Sequence, residues 1–436
     1  MSLNEKIIQG INEEYQKMFP VKKFVPGVSA VPVSGKVFDE REILNGVEAI
    51  LDGWWTEGRF SDQFESKLAR WLGVKNVTLV NSGSSANLIA VSALTSKKLG
   101  DRCLRPGDEV ITVAAAFPST VNPIIQNGLV PVFVDVELGH YNASMDEVRK
   151  AISPKTKAIF IAHTLGNPFD LDSMVQFCKE HHLWLIEDNC DALGAMYGDK
   201  KTGTFGHIAT CSFYPAHHIT LGEGGAVFTS DDVLARIIRS VRDWGRDCHC
   251  KTGQDNTCGM RFGWQLGKLP FGYDHKYVYS EIGYNLKLTD MQAAIGLAQL
   301  DKLDNFVAKR RNNFDTLYNG LTKFEKYFIL PKHQDKAKPS WFGFLLTVKP
   351  DAPFTREEII THLQNEQVAT RYLFGGNLLK QPYFVDNEIN YRVIGDLPNT
   401  DLIMNNTFWV GVYPGITTEM AEYIVSSIQS FCQKYA

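Results

Sequence analysis

From residue 77 to residue 230 the chain alternates between two apolar patterns. NVTLV, DEVITVAA, VPVFVDV, KAIFIAHT and LWLIEDNC are short β-rich runs. Between them stand ANLIAVSAL, VNPIIQNG, SMDEVRKAI and DLDSMVQFCKEHH, whose apolar residues recur at helical spacing. Ser144 and Glu147 have the spacing of a capping box and mark one helix start. IATCSFY and GAVFTS add two strands, and LARIIRSVRDW another helix. Apolar runs separated by helices predict a mostly parallel sheet covered on both faces, with right-handed connections.

Residues 290 to 325 read as one long helix that bridges to a second domain. That domain would hold WFGFLLTV as a strand, REEIITHLQNEQ as a helix capped by Thr355 and Glu358, and EMAEYIVSSIQSFCQ as a final helix. The expected division is 1–290 for N-terminal helices plus a large α/β domain, and 291–436 for the bridging helix and a small α+β domain. The first residues, MSLNEKIIQGINEEYQKMF, read as an amphipathic helix. The stretch at about 245–280 is rich in Gly, Cys and Asp and weakly periodic, so it reads as a long irregular insertion of functional type.

Composition narrows the function classes. The 436 residues carry a net charge of -4, with 44% hydrophobic and 22% charged residues. Nothing there suggests a nucleic-acid or anionic-membrane partner. No apolar run approaches the roughly 20 residues that span a bilayer. The N-terminus lacks a signal peptide's basic start and apolar core, so the cytoplasm is expected. Eight cysteines are too sparse for a secreted disulfide scaffold, and clustered ones point to metal ligands or catalysis.

Three motifs carry chemistry. In NSGSSANL, Gly83, Ser84 and Ser85 stand between a strand and a helix, which either caps the helix or offers N–H groups to an anion. In LIEDNCDALGA, Asp188 ends a strand, where it either caps a helix or holds a cationic ring nitrogen. In SFYPAHHITLGEGG a strand ending in Ser212 leads to His217, His218 and a glycine turn. Each alone has a structural reading.

Together, in this order, they resemble the sugar-nucleotide aminotransferases and dehydratases of the aspartate aminotransferase fold (fold type I), which use vitamin B6. GRF..QFE, AAAFPSTVNPIIQNGLVPVFVDV, HTLGNPFDLDSM and GYNLKLTDMQAA match the same family pattern in order, so the resemblance covers nearly the whole chain. It implies that Asp188 pairs with the pyridine nitrogen, that Gly83, Ser84, Ser85 and Ser212 hold the phosphate, and that Phe117 stacks on the ring. It also implies that Asn285 reaches the neighbouring subunit's phosphate, which makes the protein a homodimer.

Two positions depart from the aminotransferase pattern. Asp191 stands at the cofactor where the family has histidine, and His217 stands where it has the Schiff-base lysine. An imidazole cannot tether the cofactor, but it can move protons near neutral pH. The surviving chemistry starts from pyridoxamine phosphate (or non-covalently bound pyridoxal phosphate), with His217 as general base and dehydration as the outcome. Tyr214 and His218 flank the base, and His218 reads as structural.

Cys190, Cys248, Cys250 and Cys258 form the pattern C-x57-C-x-C-x7-C. Four thiolates suit zinc or an iron–sulfur cluster, and the spacing matches neither ferredoxin pattern. Cys190 is two residues from Asp188, so their Cα atoms are at most about 7 Å apart and a cluster there would adjoin the cofactor. Cys103, Cys178, Cys211 and Cys432 are isolated and read as core. With His217 and Asp191, the four cysteines resemble the branch of the family that contains both pyridoxamine phosphate and a 2Fe–2S cluster and makes 3,6-dideoxyhexoses. The resemblance implies a CDP-4-keto-6-deoxyglucose-type substrate, an NAD(P)H-dependent flavin or iron–sulfur reductase as partner, and a product used for lipopolysaccharide O-antigen. The alternatives are a cluster-free dehydratase of a GDP-linked 4-keto-6-deoxymannose, a sugar aminotransferase, and a non-catalytic protein of the same fold. Arg371, in ATRYLFGGN, reads as a substrate-pyrophosphate contact or a surface ion pair.

Overall fold

A computed structural model describes residues 3–435; Met1 and Ser2 of the expected N-terminal helix lie outside them. In chain order the elements begin with α1 (Glu5–Met18), α2 (Glu40–Leu51), α3 (Arg59–Leu72), β1 (Asn76–Val80), α4 (Gly83–Leu94), β2 (Glu109–Val113), α5 (Pro118–Gln126) and β3 (Val130–Val134). They continue with α6 (Met145–Ala151), β4 (Thr156–Ala162), α7 (Leu171–Glu180), β5 (Trp184–Asp188), β6 (Met196–Tyr197), β7 (Lys200–Lys201), β8 (Ile208–Ser212), β9 (Gly225–Thr229) and α8 (Asp232–Arg242). After a long irregular segment come α9 (Asp290–Leu300), α10 (Leu303–Leu321), β10 (Phe328–Ile329), β11 (Ala337–Lys338), β12 (Gly343–Val348), α11 (Arg356–Asn365) and β13 (Thr370–Tyr372). The chain closes with α12 (Pro382–Val385), β14 (Arg392–Val393), α13 (Pro398–Asn406), β15 (Thr407–Gly411) and α14 (Thr418–Cys432).

The large sheet has the order β1-β9-β8-β5-β4-β2-β3-β14, and only β9 runs against the rest. β2, β5, β8 and β9 are buried along their whole length, as expected for strands with helices on both faces. This is the aspartate aminotransferase-like α/β fold expected from the sequence. The smaller sheet, β10-β12-β15-β13, is antiparallel and packs with α10, α11 and α14 around a separate core.

Three local expectations need correction. The helix read across 290–325 is two helices: α9 ends at Leu300, and Lys302, just before α10, pairs with Glu42 at 2.6 Å. The Ser144 side chain makes no capping bond, and Glu147 pairs with Lys150 at 2.6 Å instead of reaching back to the N-cap. The boundary at 290 is also crossed twice. Val31 bridges to Val368 and sits in the small-domain core, while β14 joins the edge of the large sheet beside β3. The Thr355–Glu358 capping box forms as read.

Two carboxylates, Asp290 and Glu57, act as fasteners. Gly58 gives α3 no side-chain cap. The Asp290 carboxylate, 2% exposed, accepts instead from the N–H groups of Gly58 (3.0 Å), Phe60 (3.1 Å) and Ser61 (2.8 Å). Glu57 meets the fully buried Arg242 at 2.6 and 2.7 Å, and Arg242 also donates to the carbonyl of Leu79 in β1. Asp290→Ala strands three helix N–H groups, and its expected cost is about 2–3 kcal/mol, read as a lower urea midpoint at unchanged slope.

Candidate active site

The parallel strands end together, and the site is built on those ends. β5 carries two neighbouring acids that face opposite ways, as successive strand residues must. Glu187 turns into the protein, where it accepts from the N–H groups of Gly203 (2.8 Å), Phe205 (2.8 Å) and Gly206 (2.6 Å) and meets His163 Nε2 at 3.0 Å. Burial pushes its carboxyl up, but His163 and the backbone donors outweigh that and hold it below the usual range.

Asp188 turns the other way. Its Oδ2 accepts from Asn87 Nδ2 in α4 at 2.9 Å and from Thr120 Oγ1 in α5 at 2.7 Å. Its Oδ1 accepts from the Cys190 N–H at 3.1 Å. Behind Asn87, Thr210 Oγ1 in β8 donates to Asn87 Oδ1 at 2.6 Å. The chain Thr210–Asn87–Asp188 therefore fixes the carboxylate from two directions.

Beside it, Ser82 caps α4 by accepting from Ser85 N–H at 3.1 Å, and the two hydroxyls are 3.0 Å apart. Gly83 opens the helix against Ser212, where a Cβ would lie 2.4 Å from the Ser212 Cβ. Only glycine allows that approach. The Gly83–Ser85 turn and the Ser212 hydroxyl thus form a concave set of neutral donors at a helix N-terminus, which suits a phosphate. Phe117 stands half-exposed at the start of α5, edge-on to Phe374 with centroids 6.4 Å apart, so a ring face stays open. These residues fit pyridoxamine or pyridoxal phosphate: a carboxylate for the ring nitrogen, an apolar face and an anion cradle.

His217 lies on the loop after β8. Its Nε2 is 3.4 Å from Asp191 Oδ1, and its Nδ1 is buried without a partner. Tyr214 and Phe342 flank the ring, with centroids 6.3 and 5.3 Å away. The main chain of His217 is held at both ends: its N–H donates to the Tyr214 carbonyl and its carbonyl accepts from Arg310. His218 points away, bonded through Nε2 to the Ser340 carbonyl at 2.8 Å. Burial, reinforced by Arg310, pushes its imidazole well below the ordinary value and leaves it neutral. Asn285 is exposed, accepts from Lys287 Nζ at 2.7 Å, and lies next to Leu286, whose carbonyl accepts from Asn81 at the edge of the cradle. Arg371 is exposed on β13, and among the described residues its side chain bonds to the neighbouring Thr370 carbonyl.

The four cysteines are not brought together. Cys190 faces Asp188, Cys211 and Asp191, and burial, then the Asp188 charge, push its thiol well up. Cys248, Cys250 and Cys258 face one another in the irregular segment. Cys250 lies 3.0 Å from Thr257 Oγ1, and Cys258 accepts from the Met260 N–H. That segment is tied down elsewhere: Lys251 pairs with Asp62 at 2.6 Å, Gly253 packs on the Trp54 ring, and His275 and Lys98 both hold Asp247. Among the described residues no group of three or more His, Cys, Asp and Glu side chains is arranged to hold a metal ion. Among the described residues the expected four-thiolate set is thus not assembled, and the loop trio has anchors of its own.

The sequence reading missed Asn87, Thr120, Thr210, Phe342 and Arg310. Asn87 and Thr210 had a visible signal, a polar residue inside an apolar helix and an apolar strand. Thr210→Val removes one hydrogen bond from the Asp188 relay. Its expected effect is about tenfold weaker pyridoxamine phosphate binding, measured by fluorescence titration, with Thr210→Ser close to wild type.

Comparison with known proteins follows from this geometry. Residues 38–429 match the profile of the DegT/DnrJ/EryC1/StrS aminotransferase family. The lipopolysaccharide biosynthesis protein RfbH of Salmonella typhimurium is 55% identical over 99% of this chain and 98% of its own. The dTDP-4-dehydro-2,6-dideoxy-D-glucose 3-dehydratase of Saccharopolyspora spinosa is 51% identical over 99% of this chain and 92% of its own. Among solved structures, the E. coli GDP-4-keto-6-deoxy-D-mannose-3-dehydratase with bound hydrated PLP superposes with a TM-score of 0.81. It is 28% identical and covers 91% of this chain and 98% of its own. Among the described residues no helix is long and apolar enough to cross a membrane.

Proposed function

We propose that this chain, which belongs to the DegT/DnrJ/EryC1/StrS aminotransferase family, is a pyridoxamine-phosphate-dependent sugar-nucleotide 3-dehydratase with His217 as its base. The observation that carries the reading is an imidazole, not a lysine amine, on the β8 loop, facing Asp191 at 3.4 Å. The 3-dehydratase names of two relatives at 51% and 33% identity support it.

When bound, pyridoxamine phosphate supplies an amine that condenses with a 4-keto sugar and a ring that takes up the released electron pair. The residues of this chain do the rest. Asp188 binds the ring nitrogen and keeps it protonated, held in place by Asn87 and Thr120. Gly83, Ser84, Ser85 and Ser212 bind the phosphate, and Phe117 covers one ring face. Asp191 orients the imidazole. His217 removes the proton from the cofactor's C4′ carbon and returns a proton to the hydroxyl leaving C3 of the sugar. In the homodimer, Asn285 reaches the neighbouring subunit's phosphate.

The finer reading is a CDP-6-deoxy-L-threo-D-glycero-4-hexulose 3-dehydrase, acting on a CDP-linked 4-keto-6-deoxyglucose and feeding O-antigen synthesis. CDP rests on sequence resemblance, and RfbH, named for lipopolysaccharide biosynthesis, supports the pathway. A 2Fe–2S cluster and an NAD(P)H-dependent reductase rest on the resemblance carried by His217, Asp191 and the C-x57-C-x-C-x7-C pattern, and no step above passes through them.

His217→Asn is expected to lower dehydration about 10²–10⁴-fold while pyridoxamine phosphate stays bound. The checks are substrate turnover and the bound cofactor's absorption, and full turnover by the variant would remove the base assignment. Anaerobically purified wild-type protein is expected to contain iron and sulfide with visible absorption, and Cys250→Ser to lose both. Iron-free wild type with undiminished dehydration points instead to the cluster-free enzyme.

A further inference from the structure

Arg310 occupies a core position of α10, in step with Phe306, Phe314 and Leu317, and is 0% exposed. A guanidinium there is costly unless paired. Among the described residues it makes no ion pair. Its partners are three carbonyls. Nη1 donates to Trp341 O at 3.2 Å and Phe342 O at 3.4 Å, just before β12, and Nη2 donates to His217 O at 3.1 Å. Nε is buried without a partner. The carboxylate that acts on it through space is Asp191, the same group that meets the His217 imidazole. Burial pushes the guanidinium down to about 9, so it stays charged at neutral pH.

A staple between α10 and β12 would need only the Trp341 and Phe342 carbonyls. The third bond goes to the backbone of His217, whose ring meets Asp191, the carboxylate that also acts on Arg310. His218 reinforces the same seam through the Ser340 carbonyl. We propose that Arg310 is the positioning residue of His217, clamping its carbonyl to the segment that enters β12. The proposal rests on the reading of His217 as the base. It makes the placement of that base a property of the small domain, so movement of β12 moves the base.

The test uses full-length Arg310→Gln and Arg310→Lys loaded with pyridoxamine phosphate, with CDP-4-keto-6-deoxyglucose as substrate. The amide of Gln keeps two donors without charge. Its expected kcat is at least about tenfold below wild type, with KM within about threefold, because a displaced base slows the chemical step without weakening binding. Lys keeps the charge and loses the fork, so it recovers part of that loss. A second readout needs no turnover: the rate of His217 carbethoxylation by diethyl pyrocarbonate, resolved from His218 by peptide fragmentation. It is expected to rise several-fold in Arg310→Gln. Wild-type kcat and carbethoxylation rate in Arg310→Gln, with only a lower melting temperature, would overturn the proposal. So would loss of pyridoxamine phosphate from both variants, since Arg310 would then support the cofactor pocket as a whole. Full turnover by His217→Asn strikes the functional reading instead. If wild type does not turn this substrate over, the carbethoxylation rates still decide the role of Arg310.

Discussion

The site depends on one geometric constraint: parallel strands deliver their last residues to a single edge of the sheet. β5 ends there in Glu187 and Asp188, and the alternation of a strand gives the two acids different tasks. Glu187 ties the 203–206 loop to the sheet through three backbone donors. Asp188 is left facing the cradle, held by donors from α4 and α5. The second task leans on the first, because the 203–206 loop that Glu187 holds leads directly into β8. β8 in turn supplies Thr210, Ser212 and the start of the His217 loop.

Much of this was legible from the sequence because it is local. Apolar runs of strand length, helical spacing between them and turn residues at their ends place the large sheet and its carboxyl edge. What was not legible is non-local. The break between α9 and α10 falls in otherwise good helix sequence, where Lys302 reaches Glu42, some 260 positions away. Ser144 has the spacing of a capping box, but Glu147 has a better partner one turn on. The strand pairing of β14 and the packing of Val31 join parts of the chain that no window of periodicity spans.

The cysteines mark the same limit in the site itself. Cys190 is near Asp188 by sequence, and that placement holds. The expectation that the loop trio joins it rested on spacing and resemblance, neither of which reads the contacts of a weakly periodic segment. The structure gives it several, in Lys251–Asp62, the Trp54–Gly253 contact and the grip on Asp247. An irregular segment with charged anchors has a definite resting place, so spacing alone does not locate its thiols.

A lysine in this fold is placed by its covalent bond to the cofactor, so the protein need not fix it precisely. A histidine has no such bond. Its ring must be aimed by non-covalent contacts, and errors of an ångström matter for proton transfer. That difference accounts for the surroundings of His217. Asp191 replaces the family's histidine and meets the imidazole edge. Phe342 packs beside the ring, and Arg310 holds the backbone beneath it. The buried guanidinium makes little sense as stabilisation, since an apolar residue would fill a core position of α10 at lower cost. It makes sense where a base without a tether has to be held still. On this view Arg310 is the residue that ties the chemistry at His217 to the second domain.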